Sequence, residues 1–209
     1  MLFHSTRGGD KDRTFEDILM QGLASDGGLF MPDEWPQVNL NLLRSKSSFI
    51  EVAKEIVPLF TSSSFDKEEV INILDNTWHD FSDDDIAPLK HLDDNKAVLE
   101  LFHGPTAAFK DFGLQLAAAF FNEVLSKNNK TAIILGATSG DTGSAAIDAC
   151  KNFKSIKTFI LIPDGNMSEI QRRQMTTIDE DNVFTLRISG TFDDCQDIVK
   201  DAFKERSFL

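Results

Sequence analysis

From Leu101 to Leu125 the chain reads LFHGPTAAFKDFGLQLAAAFFNEVL, and Lys110 is the only lysine in the stretch. Gly104 and Pro105 suit a turn, and beyond them Phe109, Phe112, Leu116, Phe120 and Val124 recur at helical spacing. We read a helix entered at Thr106. It is apolar almost all round between Leu116 and Phe121, so it is expected to be buried. Lys110 then falls in the first turns, where free backbone N–H groups carry about half a positive charge. Phe109 and Phe112 bracket it with apolar surface. Desolvation and a positive potential both favour the neutral amine, the form that attacks a carbonyl carbon. The plainer reading is a lysine bent out to solvent.

Around this stretch, short apolar runs alternate with helical segments. AVLELF (97–102) precedes the Lys110 helix, TAIILG (131–136) a helix over 142–150, KTFILIP (157–163) one over 167–177, and VFTLRI (183–188) one over 193–204. Strands apolar on both faces and separated by single helices predict a parallel sheet covered on both sides. Upstream the texture is mainly helical. A strand near 2–5 leads to a helix at Thr14, whose T-x-x-D pattern with Asp17 is a capping-box variant. Asp26-Gly27-Gly28 reads as a structural turn. Polar, proline-containing sequence then leads to a helix from Phe49 to about Pro58. Another helix, over 67–78, starts behind a cap at Ser64 or Asp66. The expected division is therefore an N-terminal domain over 1–95 and an α/β domain over 96–209.

The 209 residues carry a net charge of −13, a surface that repels nucleic acid. No apolar run approaches the roughly 20 residues of a membrane span and the N-terminus has no signal-peptide core, so a cytoplasmic location is expected. Cys150 and Cys195 lack any paired spacing and read as packed thiols. His4, His79, His91 and His103 are scattered, and no metal site is expected. An anionic ligand on so acidic a chain needs a locally positive site, built from helix N-termini and cations such as Lys110, Arg172 and Arg173. The plainer reading leaves both arginines exposed.

GATSGDTGS (136–144) lies between a strand and a helix, where glycines admit a ligand to the backbone and the helix start offers N–H groups to an anion. It is neither a P-loop nor a dinucleotide fingerprint, because the spacing of its glycines and the absence of a following Gly-Lys-Ser/Thr fit neither. Thr138, Ser139 and Thr142 offer hydroxyls to an anionic substrate; an ordinary capped turn is the alternative. His103 reads as a turn-stabilising imidazole ahead of a site residue. In MSEIQRRQM (167–175) Ser168 caps a helix whose Gln171 and Gln174 face away from Met167 and Ile170. Phe192, Cys195, Val199 and Phe203 share a helical face read as core.

HGPTAAFKDFGLQ resembles the cofactor-lysine motif of the threonine synthase family, pyridoxal-phosphate (PLP) enzymes of the tryptophan-synthase β-like fold. STRGG, LASDGGLFMP, GATSGDTGSAA, MSEIQRRQM and SGTFDDCQDIVKDAF extend the resemblance in family order over nearly the whole chain. It implies a three-layer α/β PLP domain of fold type II, with Lys110 as the catalytic, cofactor-bearing lysine and Asp141 facing the cofactor's 3′ oxygen. Thr138, Ser139, Gly140 and Thr142 become substrate-binding residues. Family members run to well over twice this length, so the resemblance implies an N-terminal portion. The glycine-rich phosphate loop and the partner of the pyridine nitrogen would lie past residue 209, and the 209 residues alone are expected to be inactive. The implied reaction is a carbon–oxygen lyase step that turns O-phospho-L-homoserine and water into L-threonine and phosphate. A related phospholyase acting on a phosphorylated amino acid, or a catalytically silent domain, would carry the same motifs.

Overall fold

The computed structural model describes residues 1–165 and 167–204, which form two compact units: 1–79 with 83–87, and 80–82 with 88 onward. In the first unit β1 (Phe3–Ser5) pairs antiparallel with β2 (Phe30–Pro32). Thr14 caps α1 (Phe15–Gln21) in the expected capping box with Asp17. The DGG turn is structural as expected, with Gly27 at φ 73°. The Asp26 carboxylate inside it accepts from Ser5 Oγ and from the N–H groups of Gly9 and Gly28. These donors, the Ser5 hydroxyl foremost, hold Asp26 below the usual carboxylate range.

A short helix that the sequence reading left as irregular, α2 (Leu40–Arg44), is capped by Asn39. The next, α3 (Phe49–Thr61), does not stop near Pro58 but runs one turn further. Proline removes one donor from that turn, and the Thr61 hydroxyl returns a bond to the Val57 carbonyl. Asp66, rather than Ser64, caps α4 (Lys67–Asp75), with Glu69 completing a capping box. Phe3, Phe65, Val70, Leu74 and Trp78 make the buried interior of this unit.

The second unit corrects one expectation. AVLELF is not the first strand of the parallel sheet: β4 (Lys96–Leu99) pairs antiparallel with β3 (Leu89–Asp93) in a separate hairpin whose side chains are exposed. The turn residues Asp93-Asp94-Asn95 cause this, folding the chain back on itself, with the Asp93 carboxylate accepting from Asn95 N–H. The parallel sheet has the order β5 (Ala132–Ala137), β6 (Ile156–Pro163), β7 (Val183–Ile188).

Between and around these strands run α5 (Lys110–Lys127), α6 (Asp141–Cys150), α7 (Glu169–Thr176) and α8 (Phe192–Lys204). Helix α5 buries one side, Ala118, Phe120, Val124 and Leu125, rather than its whole circumference; Ala117 is exposed. Ala118, Leu125, Ala149, Cys150 and Ile156 form one core cluster, and Ile147, Ile160, Ile162 and Met175 another. Strand alternation puts Ile133, Phe159, Leu161, Phe184 and Leu186 on the opposite face, against which α8 lies along β5 and β6. Cover there is partial, since Ile133 and Leu186 remain exposed. Of the α8 face expected to be core, Cys195 is fully buried and Phe203 is not. Both cysteines are buried and free. Among the described residues no helix is long and apolar enough to cross a membrane.

Candidate active site

Helix α5 starts at Lys110, four residues later than Thr106, because the intervening backbone is not helical. Ala107 adopts φ 57°, a left-handed conformation that interrupts a helix. The turn is held from within by Asp111. Its fully buried carboxylate accepts from Thr106 N–H at 2.9 Å and from the Thr106 hydroxyl at 2.7 Å. Gly104 is required beside it, since a Cβ there would lie 2.4 Å from Asp111 Oδ2. Lys110 thus leaves a braced turn as the first helical residue. Its apolar bracket is half formed: Nζ lies 4.6 Å from the centre of the Phe109 ring, but Phe109 is 63% exposed. Phe112 turns edge-on to Phe81, 5.0 Å between centroids.

An open cavity of about 370 Å³ adjoins this lysine, lined by Phe109, Lys110, Gly113, Leu114 and Thr142. Its volume is in the range of small-molecule sites. The structure thereby brings Lys110 together with the loop before α6. Gly113 and Leu114 escaped the sequence reading, although their spacing of three and four from Lys110 puts them on its helix face.

The loop residues divide into two groups. Thr138 is buried and its hydroxyl serves the loop's own backbone, accepting from Gly140 N–H and Gly143 N–H at 3.2 Å each. This hydroxyl, expected to meet substrate, is engaged in bracing the loop. Gly143 packs so closely on it that a Cβ would stand 2.2 Å from Thr138 Cγ2. Ser139 and Thr142 are exposed. Gly140 supplies no cap of its own to α6 and Thr138 takes the Gly143 N–H, so among the described residues the N–H groups of Asp141 and Thr142 are the ones left for an anion. Asp141 Oδ1 accepts from Gln171 Nε2 at 2.7 Å, and Gln174 Nε2 donates to the Thr106 carbonyl at 3.0 Å. Helix α7 therefore joins both halves of the site.

His103 makes contacts that suit the structural reading. Nε2 lies 2.8 Å from Glu100 Oε2, and Ser82 Oγ lies 3.5 Å from Nδ1. Arg173 and Arg172 are exposed and lie 2.5 and 4.0 Å from the Glu169 carboxylate.

Residues 91–209 match the family described as Pyridoxal-phosphate dependent enzyme. The chain belongs to this family. Residues 2–78 match a second description, Threonine synthase N terminus. Threonine synthase of Pseudomonas aeruginosa is 46% identical over 211 residues, covering 100% of this chain and 45% of that protein. The Saccharomyces cerevisiae threonine synthase is 41% identical over 99% of this chain and 44% of its own length. Among solved structures, a PLP-bound threonine synthase from Brucella melitensis superposes with a TM-score of 0.93 at 42% identity, over 99% of this chain and 45% of that one. The chain thus spans about 45% of the length of relatives it matches. The cofactor of this PLP-dependent family carries an aldehyde, and a primary amine on the wall of a cavity suits it. The residues present fit the group in that respect.

Proposed function

We propose that this chain is the N-terminal portion of a threonine synthase, acting on O-phospho-L-homoserine and water to give L-threonine and phosphate. The observation that carries the reading is the shared cavity of Lys110 and Thr142, which sets a primary amine beside the start of α6. When bound, PLP supplies the electron sink for the substrate's carbons. Lys110 holds that group and afterwards takes and returns protons through Nζ. The hydroxyls of Ser139 and Thr142 and the first N–H groups of α6 bind the anionic end of the substrate; Gly140 lets it approach. Asp141, held by Gln171, would serve the cofactor's 3′ oxygen.

In this reading residues 1–95 form the N-terminal domain and 96–209 the first part of the catalytic one. A phospholyase would use the same lysine and loop, so the products decide. The complete enzyme, given O-phospho-L-homoserine, is expected to release L-threonine and phosphate in equal amounts. A keto acid in place of threonine would overturn the assignment.

A further inference from the structure

Helix α5 carries a glycine at 113, in its first full turn, where alanine would be the more stable choice. Packing among the described residues does not explain it. Of these, none lies within 4 Å of a Cβ built on Gly113, in contrast to Gly104 and Gly143, whose neighbours would collide with one. No positive φ explains it either, since Gly113 is not among the residues with left-handed backbone and lies inside a regular helix. What distinguishes the position is the space it faces: Gly113 lines the cavity between Lys110 and Thr142. It lies three residues beyond Lys110, about 4.5 Å along the axis on the same helix face.

We propose that Gly113 is a binding residue whose bare backbone forms the floor on which the flat ring of PLP held by Lys110 packs, so that the cavity is kept empty of side chain for the cofactor. The inference rests on the function proposed above and adds a contact to it. A methyl group at Gly113 would enter the volume that the ring occupies. Overpacking of a close contact typically weakens it roughly tenfold or more. The same methyl would favour the helix of the empty protein. Stability without cofactor and affinity for cofactor should therefore move in opposite directions.

The test compares Gly113→Ala with wild type and with Ala117→Gly, a change of helix propensity at an exposed position of the same helix. Each complete enzyme is stripped of cofactor, melted, and titrated with PLP by absorbance; borohydride reduction and peptide mapping locate the lysine that holds it. Gly113→Ala is expected to raise the apparent Tm of the stripped protein by about 1–3 °C and to weaken PLP roughly tenfold or more. Ala117→Gly should lower that Tm and leave PLP affinity unchanged. Equal PLP affinity in Gly113→Ala and wild type, with Lys110 labelled in both, would overturn the inference alone. Parallel loss of Tm and affinity in Gly113→Ala would also overturn it, showing a packing position. Labelling of a different lysine in wild type would instead bring down the functional reading on which it stands.

Discussion

Gln174 Nε2 donates to the carbonyl oxygen of Thr106 at 3.0 Å, across 68 residues of sequence. The same Thr106 gives its N–H and hydroxyl to buried Asp111, so the peptide ahead of Lys110 is gripped on both sides. Removing the outer grip by Gln174→Ala is expected to cost about 1 kcal/mol. In the complete enzyme this should lower kcat/KM more than the small fall in Tm would suggest, because the turn that aims Lys110 loosens. Unchanged kinetics would show that Asp111 alone holds the turn.

Lys110→Ala is expected to abolish retention of PLP and its visible absorbance in the complete enzyme. The fold should survive, since the ring contact with exposed Phe109 is worth only about 0.5–1 kcal/mol. Circular dichroism and a dialysis experiment check the two halves of this statement. Retained stoichiometric cofactor would disprove the role of Lys110.

The loop before α6 should separate binding from folding. Ser139→Ala and Thr142→Ala remove exposed hydroxyls, and loss of a bond to a charged group costs about 1.5–3 kcal/mol. Both are expected to depress kcat/KM roughly tenfold or more with little change in Tm. Thr138→Val behaves differently. It strips the acceptor from the buried Gly143 N–H and the half-buried Gly140 N–H, so it should lower stability by about 1–3 kcal/mol. Similar losses of Tm in all three variants would mean that Ser139 and Thr142 are structural as well.

Burial pushes the Cys150 thiol up to about 11 from its ordinary 9.0. Between those values the folded state keeps a proton that the unfolded state releases, so stability is intact below about pH 9 and is lost as pH rises toward 11. The whole effect amounts to about 2–3 kcal/mol at roughly 1.4 kcal/mol per unit. Urea unfolding between pH 8 and 11 should show this slope, and Cys150→Ala should flatten it. An unchanged slope in Cys150→Ala would assign the pH dependence to other groups.

Many local signals were written in the chain. Thr14, Asp66 and Ser168 cap helices through bonds spanning three residues, and β5, β6 and β7 are apolar runs with helices between them. Such features depend on neighbours in sequence, which is why periodicity and cap chemistry reveal them. The GDTGS loop and Lys110 stood out as candidates for a similar reason, as an unusual residue set at a helix start.

What only the tertiary structure decided involves partners far apart. Ala97–Leu99 looked like a core strand, and its pairing with Leu89–His91 rather than with β5 depends on hydrogen bonds that an apolar pattern does not encode. Thr138, Ser139 and Thr142 are alike as hydroxyls; only their surroundings make one a brace and leave two exposed. The late start of α5 follows from Ala107's left-handed backbone, the grip of Asp111 and the reach of Gln174 from 68 residues away. Residue type supplies the donors and acceptors, and the packing of α5, α6 and α7 determines which of them meet.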